Sequence, residues 1–142
     1  IKECDWSSDV CSSDLFYIMS PEKRPLIFIV DDDPMYHKMI SHNLKAENFD
    51  NVMTFESGEE CIKNLDKKPE VIILDYEMKG INGIQTLKSI KEYNKDIKVI
   101  LCSSQEDMNI VFDSLKFGAF NYVRKNEFAY NKIKFLMKNI LN

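Results

Sequence analysis

Five short apolar runs recur along this chain, and helical spacing of apolar residues returns between and after them. LIFIV (26–30), NVMTF (51–55), VIILD (71–75), IKVILCS (97–103) and FNYVR (120–124) are rich in β-branched and aromatic residues. Runs of this length, bounded by acids, Gly, Pro or Ser, predict strands. VIILD is apolar almost throughout, which predicts a strand covered on both faces. Asp33-Pro34 reads as an N-cap and first helical residue, followed by Tyr36, Met39, Ile40 and Leu44 to about Glu47. Ser57-Gly58-Glu59-Glu60 has the spacing of a capping box and opens a helix through Ile62 and Leu65, stopped before Pro69. A loop with Gly80 and Gly83 leads to a helix through Ile84, Leu87 and Ile90. Met108, Val111, Phe112 and Leu115 mark the next, closed by Gly118. Ile133, Leu136, Met137 and Ile140 form the stripe of the last. Strands alternating with helices predict parallel βαβ units with right-handed crossovers.

Composition narrows the class further. At 142 residues the chain is expected to form one domain. Its 44% hydrophobic and 30% charged residues exclude a disordered chain, and four Gly with four Pro exclude a collagen-like or low-complexity one. The longest apolar run is five residues, so no segment spans a bilayer as a helix. A net charge of −4 gives no basic excess for nucleic acid or an anionic membrane surface, and neither partner is expected.

Residues 1–15, IKECDWSSDVCSSDL, fit none of this pattern. They lack the basic start and apolar stretch of a secretory signal. Asp5 to Leu15 resembles a translated sequencing adapter, so the natural start is expected at Met19, with residues 1–18 a non-native or disordered extension. Without residues 1–15, 18 basic and 19 acidic residues remain, and only Cys61 and Cys102 of the four cysteines. That gives neither a disulfide framework nor a zinc spacing, and a reduced, cytoplasmic protein is expected.

In open parallel sheets, ligands gather beyond the carboxyl ends of the strands. Asp31, Asp32 and Asp33 follow the first strand, Asp75 ends the third, Ser103 and Ser104 end the fourth, and Lys125 follows the fifth. Singly, each has a bland reading: a helix cap, a loop acid, a strand-end hydroxyl, a snorkelling amine. His37 and His42, five apart on one helix, are expected at the surface, and Asn43 as a satisfied polar group. Together the edge residues suggest chemistry. Clustered carboxylates need a cation to stay ionised, and an all-oxygen site suits Mg²⁺. A carboxylate beside Mg²⁺ is a possible nucleophile toward phosphorus, and Ser and Lys nearby would bind phosphoryl oxygens.

Residues 26–142 resemble a response-regulator receiver domain. The matching stretches are IFIVDDDP, SGEE, VIILDYEM with Gly83 eight residues after Asp75, VILCSS, and FGAFNYVRK. The resemblance implies an α/β, flavodoxin-like fold: a five-stranded parallel sheet in order 2-1-3-4-5 with helices on both faces, residues 19–142 forming one receiver domain. It implies that Asp75 is the phospho-acceptor and that Asp31 and Asp32 are the metal-site acids. Asp32, Asp75 and the Glu77 main-chain carbonyl would be the direct Mg²⁺ ligands. By the same resemblance Ser103 is the switch hydroxyl, Lys125 the invariant lysine, Tyr122 the switch aromatic, and Glu77 and Gln105 line the approach of hydrolytic water. Two departures concern loop geometry. Asn126 and Lys79 stand where the family usually has proline. A cis bond before a non-proline residue costs ~3–4 kcal/mol, so the Lys125–Asn126 bond is expected to be trans.

The function implied is that of a bacterial phosphorelay component rather than a turnover enzyme. Asp75 would take a phosphoryl group from a histidine kinase or phosphotransfer protein and hydrolyse it slowly. Occupancy would switch the surface of the fourth helix, fifth strand and fifth helix toward an output protein, as a monomer or phosphorylation-dependent dimer. Three alternatives stand beside it. One is a receiver fragment of a larger regulator. Another is a phosphorylation-independent binding module, opposed by the intact Asp31, Asp32, Asp75, Ser103 and Lys125. The third is a small flavodoxin-like enzyme, opposed by the lack of a Gly-rich loop after the first strand.

Overall fold

A computed structural model describes residues 24–141; the extension expected at residues 1–18 lies outside them. Five strands form one parallel sheet: β1 (Ile27–Val30), β2 (Val52–Phe55), β3 (Val71–Asp75), β4 (Lys98–Ser103) and β5 (Asn121–Arg124). Their order is β2-β1-β3-β4-β5, as the resemblance implied. The helices are α1 (Pro34–Ala46), α2 (Gly58–Lys63), α3 (Gly83–Tyr93), α4 (Met108–Lys116) and α5 (Ala129–Leu141), with a 3₁₀ turn at Leu65–Lys67.

Alternate strand residues feed two cores. On one face Phe28, Val30, Ile72, Leu74 and Leu101 meet residues from α2, α3 and α4. On the other, Ile27, Ile29, Ile73 and Ile100 meet Ile40 and Leu44 of α1 and Ile133 and Met137 of α5. The sheet is thus covered on both sides, which is why β1 and β3 carry no exposed residue. Register aligns Val30 with Leu74, and Asp75 with Cys102, so the carboxyl ends of β1, β3 and β4 finish at one edge.

Several sequence expectations need correction. The stripe Met108, Phe112 and Leu115 faces solvent, Phe112 at 63% exposure. The sheet side of α4 is Ile110 and Ser114 instead. Apolar residues stand all round this helix, so periodicity alone does not orient it. Ser114 is small, and its hydroxyl is satisfied within the helix by the Val111 carbonyl. His37 is buried rather than superficial, with no hydrogen-bond partner for Nε2, whereas Met39, expected in the apolar stripe, is exposed. The buried face of α1 therefore runs through His37, Ile40 and Leu44. His42 is exposed as expected.

The caps also sort themselves. Ser57 accepts from the Glu60 amide, but the Glu60 carboxylate reaches back to the Glu56 amide, one residue short of a full capping box. A reciprocal box forms at Asn82 and Gln85, opening α3. Gly118, in the left-handed region at φ +98°, closes α4. The amides of Gly118 and Ala119 cap the Leu115 and Ser114 carbonyls.

Candidate functional site

The carboxyl edge of the sheet gathers the acids. Asp31 follows β1, is 2% exposed, and has both oxygens engaged. Its Oδ1 accepts from the Asp33 amide at 2.9 Å and its Oδ2 from Lys125 Nζ at 2.6 Å. Asp33 is drawn off as the N-cap of α1, accepting from the Met35 amide. That leaves Asp32, which is exposed, with its carboxylate free to turn toward the edge. Asp75, at the end of β3, is 4% exposed. One oxygen each of Asp31, Asp32 and Asp75 lies within 4.8 Å of the others.

Glycine is required just behind the acceptor strand. A Cβ on Gly83 would fall 2.6 Å from the Asp75 carbonyl oxygen and 2.7 Å from Tyr76 Cα. The Gly83 amide donates to the Tyr76 carbonyl. Only a residue without a side chain lets α3 begin this close to the end of β3.

Lys125 lies 3.0 Å from Asp75 Oδ1 and donates its hydrogen bond to Asp31 instead. Asp75 Oδ1 is thus buried with no hydrogen-bond partner. Burial first, then the Asp31 charge, pushes the Asp75 carboxyl up to about 6, although Lys125 and the Glu77 amide pull it down. Burial alone would lower the Lys125 ammonium, but the Asp31 hydrogen bond and the charges of Asp75 and Asp31 raise it above its ordinary value. Burial holds the Cys102 thiol up at about 12, so it remains a neutral floor to the site.

This donor set fits a small divalent cation. Three carboxylates against one ammonium leave two excess negative charges, and one buried carboxylate oxygen has no hydrogen bond. Oxygen donors of this kind suit Mg²⁺. Since both Asp31 oxygens are already engaged, Asp32 and Asp75 are the better placed direct ligands.

Ser103 and Tyr122 both bond the backbone of Gln105, one at its amide and the other at its carbonyl. Ser103 Oγ accepts from the Gln105 amide at 3.1 Å, and the Tyr122 hydroxyl donates to the Gln105 carbonyl at 2.9 Å. Glu77 spans the mouth of the site. Its Oε1 accepts from Ser104 Oγ at 2.7 Å and its Oε2 from Gln105 Nε2 at 2.6 Å. Those bonds, Ser104's first, hold its carboxyl below the usual range. Glu77 and Gln105 are thus tied to each other across two loops.

Sequence reasoning missed three partners. Ser104, noted only as a strand-end residue, anchors Glu77. Arg124 pairs with Glu106 across the loop between β4 and α4. Tyr36, read as an ordinary apolar position of α1, sets its ring under Lys125. The peptide bonds among the described residues are all trans, that between Lys125 and Asn126 included.

Residues 27–135 match the family described as the response regulator receiver domain, and the chain belongs to that family. It is accordingly a receiver domain of the two-component response-regulator type, whose family function is to accept a phosphoryl group. It is 33% identical over 100 residues to the chemotaxis protein CheY of Listeria monocytogenes, covering 70% of this chain and 84% of that protein. It is 35% identical over 114 residues to a protein-glutamate methylesterase/protein-glutamine glutaminase of Clostridium acetobutylicum, covering 76% of this chain. The match spans only 33% of that relative's length. Among solved structures it is similar to a BeF3-activated DrrB receiver domain, with a TM-score of 0.74 and 28% identity over 82% of this chain and 96% of that one. It is also similar to the response regulator domain of Thermotoga maritima CheB, with a TM-score of 0.70 and 26% identity over 82% of this chain and 92% of that one.

Proposed function

We propose that Asp75 is the acceptor and that a histidine kinase or phosphotransfer protein is the donor. An Asp75 oxygen attacks phosphorus and the bond from phosphorus to the donor nitrogen breaks. The freed imidazole keeps the electron pair, leaving an aspartyl phosphate. The observation that carries this role is the buried Asp75 Oδ1, without a hydrogen bond but paired with Lys125 and flanked by two further carboxylates. Mg²⁺, held by Asp32 and Asp75 with the Glu77 carbonyl, would supply positive charge against the transferred oxygens. Lys125 offers a second cation, and Ser103 a hydroxyl donor, to those oxygens.

Slow return to the ground state is hydrolysis at the same phosphorus, with Gln105 able to hold the attacking water. Turnover of an external substrate is no part of this role. Phosphoryl occupancy draws the Ser103 hydroxyl toward the site, and its bond to the Gln105 amide passes that change to Tyr122 and α4. The output surface is α4, β5 and α5. Support comes from a groove of about 420 Å³ lined by Met108, Val111, Tyr122 and Arg124 among others. Among the described residues no helix is long and apolar enough to cross a membrane.

Incubation with Mg²⁺ and acetyl phosphate, followed by intact mass, tests the assignment. One phosphoryl adduct is expected, absent in Asp75→Ala. An adduct that persists in Asp75→Ala refutes it.

A further inference from the structure

Lys125 is reached by an aromatic ring as well as by carboxylates. Its Nζ stands 4.3 Å from the centroid of the Tyr36 ring. The ring is fixed from its own side: Asp33 caps α1, the Tyr36 amide donates to the Asp33 carbonyl, and Tyr36 packs against the core shared by α1 and α5. The ammonium is thus enclosed by Asp31 at 2.6 Å, Asp75 at 3.0 Å and a ring face.

These three attractors differ in how they respond to the reaction. The hold of Asp31 and Asp75 on Lys125 is a charge interaction, and a bound divalent cation competes for the same negative charge. Phosphorylation of Asp75 then converts that carboxylate into an acyl phosphate and moves its negative charge outward onto the phosphoryl oxygens. The ring quadrupole is unaffected by either event, and attraction to a cation strengthens where water is excluded. The Lys125 side chain is 19% exposed, close to that limit.

Resting on the reading of Asp75 as acceptor, we propose that Tyr36 is a positioning residue for Lys125, its ring face keeping the ammonium over the acceptor edge while metal and phosphoryl group redistribute the carboxylate charge. The ring, not the hydroxyl, does this. The Tyr36 hydroxyl is buried with no hydrogen-bond partner, and burial, with Cys102, Asp31 and Asp75 around it, keeps it protonated. It therefore contributes no bond that Phe would lose.

Tyr36→Leu, Tyr36→Met and Tyr36→Phe in the full chain separate these roles. The rate of phosphorylation at saturating acetyl phosphate is expected to fall about tenfold in Leu and Met, the kinetic equivalent of a desolvated cation–π contact. Phe is expected to restore it. Mg²⁺ affinity should change less than about twofold throughout, because Tyr36 makes no hydrogen bond to a proposed ligand oxygen. With ¹³C-lysine, the Lys125 ε-methylene protons should be shifted upfield by the ring in wild type and Phe, and lose that shift in Leu and Met. An unchanged rate in both Leu and Met, a Phe variant as slow as Leu, or no upfield shift in wild type overturns the proposal. Should Leu not fold, Met keeps a flexible side chain of similar length and carries the test. A wild-type protein that takes no phosphoryl group would instead refute the acceptor reading, and the lysine resonances would still judge the ring contact.

Discussion

Asp75 is the place where the fold works against itself, and replacing it with Asn should make the protein more stable. The carboxyl has an ordinary value of 3.8 and stands at about 6 in the folded chain. That difference already includes the help given by Lys125. Each unit corresponds to ~1.36 kcal/mol, so full conversion gives about 3 kcal/mol of destabilisation at neutral pH. The exposed Asp32 side opens the site to solvent, and screening there reduces the figure to about 2 kcal/mol. Asn keeps the shape and removes the charge. In metal-free buffer at pH 7.5, Asp75→Asn should melt about 8 °C higher, taking ~4 °C per kcal/mol for a domain of this size.

The pH dependence gives the sharper check. A raised carboxyl favours the folded state fully below the unfolded value of 3.8, and that contribution is lost as pH rises through about 6. The advantage of Asn is therefore greatest above pH 6 and falls below about 1 kcal/mol at pH 4.5. Urea unfolding of both proteins in EDTA at the two pH values measures this. Mg²⁺ at ten times its dissociation constant should return about 1.4 kcal/mol to wild type and much less to the variant. An Asn variant no more stable than wild type at pH 7.5, or an advantage that persists at pH 4.5, refutes the reasoning.

Asp32→Ala should fold normally and lose phosphorylation, because the proposed ligand with the freest carboxylate is gone; phosphorylation at the wild-type rate, read by intact mass, contradicts the metal assignment. Ser103→Ala should still accept a phosphoryl group but transmit it poorly, since the bond from the Gln105 amide loses its acceptor; unaltered donor-induced amide shifts in α4 and β5 would count against that route. Gln105→Leu removes the amide tied to Glu77 and should lengthen the phosphoryl lifetime about tenfold, a barrier change of ~1.4 kcal/mol, measured as decay after donor removal at fixed Mg²⁺. A chain beginning at Met19 should melt with the full chain, because residues 1–15 offer no periodic apolar face; a clear loss of melting temperature would show that they pack.

Strand identity was legible because two-sided burial leaves a mark that survives any loop geometry. Val71 to Leu74 are apolar in succession, and they are buried in succession. Helix orientation was legible only where one face is plainly polar. In α3, Ile84, Leu87 and Ile90 have no apolar rivals at the neighbouring outward positions, and they are buried. In α4, Met108, Phe112 and Leu115 compete with Ile110 and Val111, and larger apolar area did not decide. The sheet selected the face carrying Ser114 at its centre. His37 went astray for a related reason: polarity suggested the surface, but its position is one turn before Ile40 and two before Leu44 on the buried side of α1.

The candidate site was legible to the extent that topology alone determines it. Asp31, Asp75, Ser103 and Lys125 each follow or end a strand, and parallel register brings such positions to one edge whatever the side chains do. What spacing cannot carry is the direction in which a long side chain reaches. Lys125 bonds Asp31, 94 residues away, and Gln105 crosses to Glu77, 28 residues away. Both choices depend on which charges are already satisfied. Asp31 accepts from the Asp33 amide and Lys125, while Asp75 Oδ1 is left with only its ion pair to Lys125. A fold optimised for stability would bond that oxygen or replace the acid. Keeping it buried, held by one ion pair and hard to ionise makes it costly in the metal-free state and correspondingly responsive to a cation and to phosphorus. The same oxygen thus links the stability prediction to the proposed chemistry. A substitution that gives Asp75 Oδ1 a permanent hydrogen bond should raise the melting temperature and slow phosphorylation together.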